Sequence, residues 1–103
     1  MAGKLFKGSR FLADYVEIVT GLSAANSDVS VRFCDAVEQA LTLLVEYPEL
    51  GAKAGFRHAP QVRKWVVRSF HNYILFYAVR PDGILAIRLL HGARHLPPLI
   101  PGE

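Results

Sequence analysis

Cysteine occurs once, at Cys34, in a chain of 103 residues. A single thiol excludes an intramolecular disulfide framework and any zinc site built from several cysteines. Long apolar runs are missing as well. Stretches such as Ile74–Val79 fall far short of the ~20 residues a membrane-spanning helix needs. The first residues, MAGKLFKGSRFLADY, lack the apolar core of a signal peptide, so a cytoplasmic protein is expected. There is no internal repeat and no low-complexity segment. With 51% apolar and 20% charged residues the composition is that of a folded domain, not a disordered chain. The length fits a single domain over residues 1–103, since a second would have no core of its own.

Acidic residues are scarce in one half of the chain. Residues 1–50 carry four basic side chains against seven acidic ones, a net of −3. Residues 51–103 carry eight basic against two acidic, a net of +6, together with all four histidines. The sequence pI of about 9.3 comes from that second half. A basic face attracts phosphates or an acidic protein partner, although a segregated charge pattern is also compatible with a simple solvated face.

The periodicity changes at the same place. Lys4–Lys7 is a short extended candidate, and Ser9 is placed to cap a helix. From Phe11 the apolar positions Phe11, Leu12, Tyr15, Ile18, Val19 and Leu22 recur at helical spacing, with Asp14 and Glu17 outside the stripe. Gly21 weakens the last turn, and Ser23–Ser27 reads as a connector. A second helix, capped by Ser27 or Asp28, carries the stripe Phe33, Val37, Leu41 and Leu44 and stops before Pro48. Residues 48–61 read as a loop. Three strands follow: Lys64–Phe70, Tyr73–Val79 and Ile84–His91, with a Pro81-Asp82-Gly83 turn between the last two. The expected fold is α+β: an antiparallel two-helix hairpin (about 9–47), a loop (48–61), a small antiparallel β-sheet (62–91) and a proline-rich tail (92–103). The hairpin must cover one face of the sheet.

Five segments resemble one family. Ser9–Ile18 (SRFLADYVEI) resembles the start of the first helix of the RelE/ParE toxins. Leu44–Gly51 (LVEYPELG) resembles the end of their helix hairpin. Val62–Phe70, Asn72–Tyr77 (NYILFY) and Ile87–Leu96 (IRLLHGARHL) resemble their sheet and its exit. The resemblance covers nearly the whole chain. It implies a toxin of a type II toxin–antitoxin pair, bound to a small antitoxin whose C-terminal segment folds around it. RelE-like members cut messenger RNA on the ribosome, whereas ParE-like members act on DNA gyrase.

Chemistry separates the two branches. RNA cleavage by 2′-hydroxyl attack needs a base, a stabiliser of phosphate charge and an acid. The RelE pattern draws these from lysines and arginines around the sheet and a tyrosine near the C-terminus. Here the segment after Leu96, PPLIPGE, contains no tyrosine, lysine, arginine or histidine. His91 or His95 would have to substitute. The expectation is therefore a ParE-like gyrase inhibitor without its own catalytic site, needing no metal or cofactor. Its expected partner is a ParD-like antitoxin with a ribbon-helix-helix N-terminal part and a helical C-terminal segment. The alternatives are a ribosome-dependent endoribonuclease and a repurposed member that only binds its partner. Candidate contact residues for target or partner are Arg63, Lys64, Arg68, Arg94 and His95. Trp65, Phe11 and Tyr15 are candidates for the antitoxin groove. His91 is expected to pack, and Cys34 to be an inert helix residue.

Overall fold

The computed structural model describes residues 3–92. In chain order the elements are β1 (Lys4–Lys7), α1 (Ser9–Ala25), α2 (Ser27–Glu46), β2 (Ala52–Lys53), β3 (Val62–Val66), β4 (Tyr73–Arg80) and β5 (Gly83–His91). The five strands form one sheet in the order β1-β5-β4-β3-β2, and both helices pack on one of its faces. The class is α+β, as the periodicity predicts.

Helix boundaries follow from capping. Gly8, extended at φ −69° and ψ 155°, precedes α1 and offers no side-chain cap; Ser9 is already helical. Asn26 serves both helices. Its N–H donates to Leu22 O at 2.7 Å, closing α1. Its side-chain oxygen accepts from the N–H groups of Asp28 and Val29 at 2.9 and 3.2 Å, opening α2. Asn26 thus does what was expected of Ser27 or Asp28, while Asp28 favours the positive end of α2 from its first turn. Despite Gly21, α1 runs to Ala25, because Ile18, Val19 and Leu22 continue to pack on the core. The connector shrinks from Ser23–Ser27 to Asn26 alone.

The main core lies between hairpin and sheet. Phe11, Phe33, Val37, Leu41 and Leu44 meet Val67, Leu75, Tyr77, Ile84 and Leu89, all buried. Phe33 is its aromatic hub, edge-on to Phe70 and Tyr73 at 5.2 and 5.0 Å. A smaller cluster lies on the other face of the sheet, where Val62, Phe76, Ala78 and Leu90 are covered in part by Phe56 and Ala59 of the 54–61 loop.

Three strand features depart from the expected meander, the first being β2, which lies inside the expected loop 48–61 and pairs antiparallel with β3. β3 is Val62–Val66 and not Lys64–Phe70, so Arg68 lies in a turn and Phe70 folds back under Phe33. Ser69 in that turn has φ 69°, left-handed backbone that ends the strand. The sheet is also mixed. β1 pairs with β5 in parallel, from Lys4↔Gly83 to Lys7↔Ala86. β5 then bulges, its register against β4 shifting between Phe76↔Arg88 and Tyr77↔Ala86. No helix among the described residues is long and apolar enough to cross a membrane.

Candidate functional site

Charged side chains fall into two groups, those spent on holding the fold and those left outside it. Asp14 and Arg88 belong to the first. β1 covers the β5 edge only as far as Ala86, after which Gly8 turns the chain into α1. Beyond that point Asp14, reaching from α1, takes the place of a strand. Its Oδ2 accepts from Leu89 N–H at 3.0 Å and from Arg88 Nε at 2.7 Å, and its Oδ1 accepts from Arg88 Nη2 at 3.1 Å. The pair is largely buried, with 13% of the Asp14 side chain and 17% of the Arg88 side chain exposed. The bond to Asp14 pushes the Arg88 pKa up. Asp14 is therefore not an outward residue of α1, as its place off the apolar stripe implied.

Arg63 and Tyr77 are similarly committed. Arg63 Nη1 donates to the carbonyls of Glu49 and Gly51 at 3.1 and 2.6 Å. The Tyr77 hydroxyl, fully buried, donates to Pro48 O at 2.6 Å and accepts from Gly51 N–H at 3.0 Å. Burial pushes the Tyr77 pKa up, opposed by the Gly51 N–H and the Arg63 charge. Together these bonds fix the turn after α2. Gly51 is required there, since a Cβ would stand 2.6 Å from the Tyr77 oxygen and 2.7 Å from Lys64 O. Arg63, expected as a free contact residue, is thus held against the backbone of that turn.

The remaining candidates divide. Lys64 is exposed on β3, and Arg68 is exposed in the β3–β4 turn. Arg68 and Arg32 line a shallow groove of about 520 Å³ with Asp35, Gln39 and Ser69. Trp65 is half-buried and packs against the helix-side core. Phe11 is fully buried in that core and forms no part of an open groove. Tyr15 is half-buried, edge-on to Phe11 and Phe33, and its hydroxyl reaches Glu38 Oε2 at 3.4 Å and Cys34 O at 3.5 Å. Burial above all raises its pKa. Arg94 and His95 lie outside the described residues. His91 packs edge-on to Tyr73 at 5.0 Å, and its Nδ1 is buried without a hydrogen-bond partner. Tyr73, His91, Asp14, Glu17 and Arg88 line a cleft of about 570 Å³ between α1 and the end of β5.

Two helices packed on one face of a five-stranded mixed sheet are consistent with a RelE/ParE-like fold. A family model described as the ParE toxin of the type II toxin–antitoxin system parDE matches residues 9–96. The chain belongs to the ParE toxin family. No curated protein matches it significantly. Membership makes the chain a toxin of a type II pair, with an antitoxin as its partner. The matched segment starts at α1 and takes in Arg94 and His95, leaving β1 outside.

Two features of this toxin have no signal in the stripe pattern. One is the Asp14–Arg88 pair, whose members stand 74 residues apart. The other is an apolar groove beside the α2 terminus, bordered by Leu43, Tyr47, Leu50 and Val79. Large apolar side chains in the YPEL turn, with no stripe to join, were the available clue to the second.

Proposed function

We propose that this toxin inhibits DNA gyrase and is neutralised by a ParD-like antitoxin. The observation that carries the reading is that the two arginines nearest the core, Arg63 and Arg88, are spent on the fold. Arg88 is bonded to Asp14, and Arg63 to the carbonyls of Glu49 and Gly51. A nuclease centre needs cations free to meet a phosphate beside an acid and a base. Lys64 and Arg68 remain exposed, on a strand face and a turn, as cations suited to binding a macromolecule. The ParE family membership favours the same reading.

In this mechanism the toxin acts by occupying gyrase while the DNA is cut, so that resealing stalls. The antitoxin would set an acidic, helical C-terminal segment against the basic sheet side, with apolar anchors inside a charged rim.

The test combines purified toxin, supercoiled and relaxed plasmid, gyrase and ATP. Toxin-dependent accumulation of cleaved DNA and loss of supercoiling are expected, both reversed by antitoxin. Normal supercoiling without cleaved DNA sinks the gyrase reading. Primer extension in a translation extract supplies the other arm: toxin-dependent cuts in a message would put a ribonuclease in its place.

A further inference from the structure

The groove beside the α2 terminus has the opposite character to the basic sheet. It measures about 690 Å³, with Leu43, Tyr47, Leu50 and Val79 among its lining residues. Leu43, Tyr47 and Leu50 are 38%, 57% and 48% exposed, three of the eight large apolar side chains the described surface leaves open. Such clustering marks an interaction site more often than scattered exposure does.

The groove is built in advance. The Tyr77 hydroxyl and the Arg63 guanidinium hold the Pro48–Gly51 backbone from below through four hydrogen bonds. A partner therefore meets a fixed surface and need not order it. Its rim is acidic, with Glu46 and Glu49 both exposed and both lining the groove. The negative end of the α2 dipole points the same way, and the last turn of α2 holds no basic side chain. Arg63 lies nearby but does not line the groove, and its Nη1 is bonded to backbone carbonyls.

We propose that this groove docks a basic, apolar-anchored peptide segment of a protein partner: one or two large apolar side chains filling it, flanked by Lys or Arg against Glu46 and Glu49. The acidic antitoxin segment proposed for the sheet side is repelled here, so the site takes a different segment. The inference stands apart from the gyrase reading, because it concerns a surface and not a target.

The probes are two synthetic amphipathic helical peptides, one of leucine and lysine, the other of leucine and glutamate. Each is titrated into the full-length toxin and followed by backbone amide shifts and by anisotropy of the labelled peptide. The lysine peptide is expected to shift Leu43, Tyr47, Leu50 and Val79 most. The glutamate peptide should bind at least about tenfold more weakly. Leu50→Ser should weaken the lysine peptide about tenfold, and the double variant Glu46→Gln/Glu49→Gln, which leaves every apolar contact in place, should weaken it several-fold. Equal binding of the two peptides, shifts centred elsewhere, or unchanged affinity in the glutamine variant each overturn the proposal. Concentration-dependent shifts of the same four amides without peptide would assign the groove to a second copy of the chain and overturn it too.

Discussion

Asp14 closes the stretch of the β5 edge that β1 leaves open, and it does so with a charge. Replacing it by alanine strands a largely buried guanidinium and leaves Leu89 N–H without its acceptor. The expected cost is about 2–4 kcal/mol, somewhat below the roughly 3–5 for one side of a fully buried pair because both side chains keep some exposure. Asn keeps an oxygen for Leu89 N–H and loses the charge, so Asp14→Asn should fall between Asp14→Ala and the parent. Urea denaturation of the three proteins checks the order, and two variants within about 0.5 kcal/mol of the parent would make the pair a surface one. Tyr77 gives a second residue-scale expectation. Removing its hydroxyl leaves Gly51 N–H and Pro48 O unpaired, so Tyr77→Phe should cost about 1–3 kcal/mol. Its pKa is raised by the fold above the ordinary 10.0. The folded state therefore favours the protonated phenol, and above pH 10 the unfolded chain releases the proton first. Stability from this group is complete below pH 10 and lost as the pH climbs through the folded value. Denaturation midpoints measured above and below pH 10 should fall on the alkaline side, and fall less in Tyr77→Phe, where the Tyr15 contribution is still present.

At the scale of elements, β1 depends on one close approach. A Cβ on Gly83 would lie 1.9 Å from Lys4 O and 2.6 Å from Lys4 N, so the parallel β1–β5 ladder exists only because residue 83 has no side chain. Gly83→Ala should detach β1. Hydrogen exchange should then lose protection at β1 amides first, while β3 and β4 keep theirs; intact β1 protection would show that the backbone absorbs the clash. The sequence pattern reaches some of these elements and not others. The stripe through Phe33, Val37, Leu41 and Leu44 is local, and α2 forms where it predicts. The cap at Asn26 was obscured by Ser27 and Asp28, residues of equal capping power one and two positions on. Lys4–Lys7 reads as extended from its own residues, but its parallel partner lies some 80 positions away, where no local pattern points. The same distance hides the site. Phe11, Tyr15 and Trp65 are visible as apolar helix and strand positions, yet only packing decides that Phe11 is sealed in the core while Tyr15 and Trp65 keep an outer side. Arg63 and Lys64 are adjacent in sequence and alternate across the strand, which is why one clamps a turn and the other faces solvent.

For the whole molecule, the exposed charges keep the sign bias of the two halves, although Arg32, Asp35 and Arg68 meet at one groove. Glu17, Asp28, Asp35, Glu38, Glu46 and Glu49 are exposed on the hairpin and the turn that follows it. Lys53, Arg57, Lys64, Arg68 and Arg80 are exposed on the sheet and its loops, whereas Arg63 and Arg88 are neutralised or bound locally. Fields from exposed charges reach about one Debye length, some 8 Å at physiological salt, so this bias acts on encounter more than on the final contact. Charge reversal at Lys64→Glu/Arg68→Glu should slow association with the antitoxin about tenfold and flatten its salt dependence, with little change in dissociation rate. Thermal stability should hold, because neither side chain takes part in an ion pair among the described residues. Stopped-flow association at low and high salt reads both quantities. The matched reversal Glu46→Lys/Glu49→Lys, on the acidic side, should leave that association rate unchanged or raise it. If instead the acidic reversal alone slows the antitoxin, the partner approaches from the hairpin side, and the basic sheet is left for the target.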